Sequence, residues 1–106
     1  MNYWIMPDLK KHDKSSYELQ IKVCSHLGIP IEDVRSKSRK VEIAECRKVV
    51  TYFLRKRNKM RQQDVANFMG YKHHSSVIHA VKSIDGIAQF DIELRTKLAE
   101  LTELLR

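Results

Sequence analysis

Two clusters of side chains in this 106-residue chain are equipped for chemistry on a polyanion. The first is a basic belt. Between Arg35 and Arg61 stand eleven Lys or Arg residues (35, 37, 39, 40, 47, 48, 55, 56, 57, 59 and 61) against two acids, Glu42 and Glu45, a local balance of +9. The whole chain carries +7, so everything outside the belt sums to −2. A near-neutral domain with one dense basic belt has the electrostatic footprint of a nucleic-acid binder. Membrane phosphates would satisfy the same charge, but the belt holds no Trp and its apolar residues are spaced for a protein core. The second cluster is Lys72-His73-His74-Ser75-Ser76, five consecutive polar residues just before the apolar pair Val77-Ile78. Their donors and acceptors have the reach needed to touch base edges, provided that the apolar pair fixes the segment on a core.

Other chemistries fit less well. His73, His74 and His79 lie close in sequence, but Cys24 and Cys46 have no finger-like spacing, so no metal site is expected. A Ser-His nucleophile would need an orienting third group and an oxyanion site, and the sequence indicates neither; no enzymatic activity is expected. The three Gly, at 28, 70 and 86, are isolated, which excludes a phosphate loop and a dinucleotide fingerprint, and with them ATP hydrolysis and dinucleotide binding; no cofactor is expected. The two Cys read as small buried hydrophobes of a reducing cytoplasm, with a disulfide as the minority reading. The apolar run Tyr3 to Met6 is too short for a signal peptide or membrane span, so the protein is expected to be cytoplasmic.

These side chains need a scaffold, and the chain has the composition for one: 42% apolar and 31% charged residues suit a single packed domain. Residues 1–13, with Trp4 and Ile5, read as an N-terminal arm carrying a hydrophobic anchor, and 14–106 as the domain. Ser15-x-x-Glu18 has capping-box spacing, and Leu19, Val23, Cys24 and Leu27 recur at helical intervals up to Gly28, predicting a first helix over about 16–27. Pro30, at a first helical position, opens a short turn, and 36–40 is too polar to be other than a loop. A central helix starts at Val41, with Ile43, Cys46, Val49, Val50, Phe53 and Leu54 as its buried stripe and Arg47, Lys48, Arg55 and Arg57 on the remaining surface. A shorter helix over about 61–69 directs Val65, Ala66 and Met69 inward and ends at Gly70. The next begins at His74 or Ser75, with Val77, Ile78, Val81 and Ile84 on one face. Asp91 caps the last, whose Leu94, Leu98, Leu101 and Leu105 read as core cover rather than a dimer seam, so a monomer is expected. No segment alternates with period two. The fold class is therefore all-α, a helical bundle in which two short helices around Gly70-Tyr71-Lys72-His73 make a helix-turn-helix candidate.

The run Ser36-Lys37-Ser38-Arg39-Lys40, then Glu42-Ile43 and Arg47, then His74-Ser75-Ser76-Val77-Ile78-His79-Ala80-Val81, closely resembles the C-terminal DNA-binding domain of the bacterial replication initiator DnaA, over about residues 16–106. The resemblance implies a Trp repressor-like helical bundle that recognises the DnaA box in double-stranded DNA. It implies that Arg39, beside Lys37 in the basic loop, enters the minor groove, and that Arg47, Lys48 and Arg55 lie on the central helix, Arg47 and Arg55 at DNA-contacting positions. It sets Gln62 and Gln63 beside phosphates, and gives the base-reading positions to His73, His74, Ser75 and Ser76, with Lys72 just before them at the start of the second helix. Three departures stand out: His73 replaces the usual acidic residue, Ser75 and Ser76 stand where Thr is frequent, and Tyr71 replaces a small turn residue. Nothing corresponds to the family's ATPase domain, so the chain is not expected to be a complete initiator. The function these residues imply is sequence-specific DNA binding in the control of replication initiation, with no membrane or nucleotide partner. The alternatives are a mobile-element transcription regulator, or an adaptor that binds a protein through its N-terminal arm or last helix.

Overall fold

A computed structural model describes residues 11–106, with side chains from residue 14. Trp4 and Ile5 of the expected arm lie outside the described residues. Six helices follow one another: α1 Lys11–Leu27, α2 Ile31–Arg35, α3 Val41–Lys56, α4 Gln62–Met69, α5 Ser75–Ala88 and α6 Ile92–Leu104. No strand occurs among the described residues, and none of the described helices is long and apolar enough to cross a membrane.

α3 is the hub, packing against α1, α2, α4 and α5, while α6 closes the bundle against α5 and α1. Its stripe Ile43, Cys46, Val49, Val50, Phe53 and Leu54 is buried as the 3.6-residue period requires. Leu19, Val23 and Cys24 meet it from α1, Val65 and Ala66 from α4, Val77, Ala80 and Ile84 from α5, and Leu94 and Leu101 from α6. Ile78 and Val81, expected on the same face of α5, are only half-buried; Ala80 takes the central position. Asp91 caps α6 as expected, accepting from the Leu94 amide at 3.1 Å. Leu94, Leu101 and Leu105 are buried within the chain, and Leu98 packs partly against the core.

Two boundaries differ from the sequence reading. α1 starts at Lys11, so residues 11–13 belong to a helix and Ser15 is interior to it rather than a cap. The buried face of α1 begins with polar Ser16, whose hydroxyl donates to Met60 Sδ at 2.9 Å, and continues through Leu19 and buried Gln20. A hydrophobic periodicity misses a face that opens on serine. Pro30 stands one residue earlier than expected, as the N-cap of α2. Cys24 and Cys46 are free and buried, with sulfurs 4.0 Å apart. The hydrogen bond between them, together with burial, pushes the Cys46 thiol up, while Cys24 is lowered by that same bond.

Candidate nucleic-acid interface

The basic loop 36–40 has no core of its own, and its conformation comes from small side chains that bond backbone. Ser36 Oγ donates to Asp33 O at 2.6 Å and accepts from the Ser38 amide at 3.1 Å, and Ser38 Oγ accepts from the Lys40 amide at 3.3 Å. The two serines thus fold onto the chain, while Lys37, Arg39 and Lys40 are left exposed. The Ser-Lys-Ser-Arg alternation separates residues that shape the loop from residues that can reach a partner.

Beneath the loop lies Arg47 of α3. Its Nε donates to Val34 O at 2.9 Å, its Nη1 to Ser38 O at 3.3 Å, and its Nη2 to Ser36 O at 2.9 Å, with longer contacts to Ser38 O at 3.3 Å and Asp33 O at 3.5 Å. Next to it, Lys48 Nζ donates to Ser83 Oγ of α5 at 3.3 Å. Lys48 borders two grooves. One, of about 310 Å³, runs past Arg39, Val41 and Ile87; the other, of about 470 Å³, lies between α3 and α5 and is lined by Arg47, Tyr71, Ser76 and His79. The two grooves meet at Lys48 and so link the loop to the start of α5.

That start is held from below. Gly70 ends α4 with φ 78°, a left-handed conformation open to Gly without strain, and the Tyr71 amide donates back to Ala66 O at 2.9 Å. Tyr71 is turned inward, its hydroxyl 2.9 Å from Thr51 Oγ1. Thr51 donates its own proton to Arg47 O at 2.9 Å, so the Tyr71 hydroxyl is the donor to Thr51. Burial raises the Tyr71 phenol above its ordinary value. Lys72, His73, His74 and Ser75 are exposed and Ser76 half-buried, with His74 at the N-cap of α5 and His73 in the turn before it. The Val77, Ala80 and Ile84 anchors keep this end fixed while its polar side chains face outward.

The remaining candidates are placed less uniformly. Gln62 opens α4, and Gln63 is exposed with its amide donating to Asn67 Oδ1 at 3.2 Å. Arg55 donates through Nη1 to Met60 O, bracing the α3–α4 turn in which Lys59 adopts φ 54°. Arg57 donates to Leu105 O, tying the C-terminus to the bundle. Arg35, the first cation of the belt, is half-buried: it donates to Phe68 O at 2.9 Å and stacks over the Phe68 ring at 4.7 Å. Lys56 pairs with Asp85 at 3.8 Å and Arg61 with Asp64 at 3.0 Å. The belt is thus divided between cations that hold the fold and cations that face solvent. Sequence reading missed Thr51, His79 and Ser83; the last two follow Ser76 at helical spacing and line the same groove, a signal the α5 pattern did carry. Among the described residues, His73, His74 and His79 included, no group of three His, Cys, Asp or Glu side chains converges.

A family model described as the bacterial DnaA protein helix-turn-helix matches residues 17–84. The chain is similar to chromosomal replication initiator proteins DnaA: 30% identical over 89 residues to that of Rickettsia canadensis, covering 84% of this chain and 19% of the relative. To that of Bacteroides fragilis it is 30% identical over 84 residues, and to that of Bacteroides thetaiotaomicron 27%, each covering 79% of this chain and 18% of the relative. It spans about a fifth of the length of the relatives it matches.

Proposed function

Because the chain belongs to the bacterial DnaA helix-turn-helix family, we propose that it binds double-stranded DNA sequence-specifically and acts in the control of replication initiation. The observation that carries this reading is the pairing, around one helix, of an exposed cationic loop with the outward-facing polar start of α5. In this reading α5 enters the major groove at its N-terminal end, where Lys72, His73, His74, Ser75 and Ser76 meet base edges. Arg39 enters the adjacent minor groove, where the negative potential of a narrow A·T-rich stretch attracts a guanidinium. Lys37, Lys48, Gln62 and Gln63 bond phosphates, and Arg55 adds charge while keeping the start of α4 in place.

Backbone phosphates supply most of the affinity through counterion release, and the two groove contacts supply the discrimination. Such a module works as a cytoplasmic monomer with no nucleotide, cofactor or catalytic step. Selection from a random-sequence duplex pool tests it: enrichment of one motif related to the DnaA box is the expected result, and an unenriched pool overturns it.

A further inference from the structure

The family resemblance puts Arg47 among the residues that touch DNA, yet its guanidinium is already engaged. Of its five N–H groups, Nε, one on Nη1 and both on Nη2 point at carbonyls of residues 33–38, which leaves one on Nη1. The acceptors are of two kinds. Asp33 O and Val34 O belong to the last turn of α2, where carbonyls carry partial negative charge and favour a cation; Asp33 O also accepts from the Ser36 amide and hydroxyl. Ser36 O and Ser38 O belong to the loop, and Ser38 O is the carbonyl of the very peptide that leads into Arg39.

We infer that Arg47 is a positioning residue: by holding the Ser38–Arg39 peptide and the end of α2 from beneath, it presets the direction in which Arg39 leaves the loop. The inference rests on the DNA-binding reading above and deepens it. A loop of five polar residues loses conformational freedom when it docks, and ordering it beforehand removes that cost from binding. The serines bond the loop to itself and to the Asp33 carbonyl of α2; Arg47 ties it to α3, which is buried along the neighbouring face that carries Cys46 and Val50. Lysine cannot do this, because one ammonium lacks the planar fork that spans carbonyls on two sides.

The test is a double-mutant cycle on the full chain, using the selected duplex and a second duplex with G·C pairs at the minor-groove end. Arg39→Ala should weaken binding to the first roughly five- to a hundredfold and erase the preference between the two duplexes. Arg47→Lys, which keeps the charge, should erase the same preference while leaving discrimination at the α5 end intact. The double variant should bind no more weakly than Arg39→Ala carrying a simple loss of shape, so the two losses do not multiply. Multiplying losses, or an Arg47→Lys protein that keeps the minor-groove preference, overturn the inference and leave the DNA-binding reading standing. Failure of the wild-type chain to bind any duplex overturns both. Should the Arg47 variants misfold, the wild type still decides: the Arg47 Nε–H resonance should stay protected from exchange, with its shift unchanged, when DNA is added. Its loss or displacement by DNA overturns the positioning role.

Discussion

The loop 36–40 and the start of α5 are both polar and exposed, but they are made rigid in opposite ways. The α5 start inherits its rigidity from apolar anchors directly beneath it, Val77, Ala80 and Ile84, and from the Tyr71–Thr51 hydrogen bond. The loop has no apolar side chain between Val34 and Val41, and its order comes from serine hydroxyls and one borrowed guanidinium. Hydrophobic anchoring leaves the polar side chains of α5 free to differ, so their identities can set specificity. Polar anchoring consumes side chains: Ser36, Ser38 and Arg47 serve the backbone, and only Lys37, Arg39 and Lys40 remain for a partner.

If that division is right, salt should separate the two regions most strongly. With about five phosphates neutralised, log affinity should fall with log salt at a slope of roughly −4 to −5, several hundredfold between about 50 and 200 mM. Replacing Lys37, Arg39 and Lys40 together by Ala should flatten the slope by about two to three, whereas replacing His73, Ser75 and Ser76 should leave it nearly unchanged. Equal flattening by both triples would erase the distinction, and a flat response in the wild type would remove DNA as the partner.

Arg39→Ala alone should cost about 1–3 kcal/mol on the specific site and relax preference at one end only, read by titrating duplexes altered at either end. An equal loss on random DNA would reduce Arg39 to a phosphate contact. At the other region, the imidazole of His73 offers one donor and one acceptor where the family's carboxylate only accepts, and as a donor it suits guanine N7 or O6. His73→Asp should move preference back toward the ordinary DnaA box by about 1 kcal/mol or more, measured by competition between the two boxes. An unchanged ratio would show that the turn residue does not reach the bases.

The smallest effect concerns the anchor of α5 itself. Tyr71→Phe removes one buried hydrogen bond and should lower stability by about 0.5–1.5 kcal/mol in urea unfolding. Because burial raises the Tyr71 phenol above 10.0, its contribution is complete below pH 10 and lost as pH climbs through the raised folded-state value. The variant should therefore lose less stability than the wild type on going to alkaline pH, with Tyr52, also raised by burial, supplying the remaining slope. Identical alkaline slopes would place Tyr71 in solvent.

Repeating apolar side chains and turn residues determined the helices of this chain by themselves. The α3 stripe, the stop at Gly70, the Asp91 cap and the all-α class all follow from local spacing, because a helix face and a glycine C-cap are properties of a few consecutive residues. The polyanion-binding character was equally local, since charge density within one segment needs no fold to be counted. Which cations are free was not local. Arg35, Arg47, Arg55 and Arg57 look alike in sequence, yet each finds a backbone carbonyl, those of Phe68, Ser38, Met60 and Leu105, supplied by a distant segment or a turn. The burial of Ser16 escaped for the same reason: Met60 of the α3–α4 turn meets it, forty-four residues on. Pattern fixes what a short segment can form. Only the packed bundle decides which of its polar groups are taken up by unpaired carbonyls, because a buried carbonyl must find a donor and the nearest one in space is seldom the nearest in sequence.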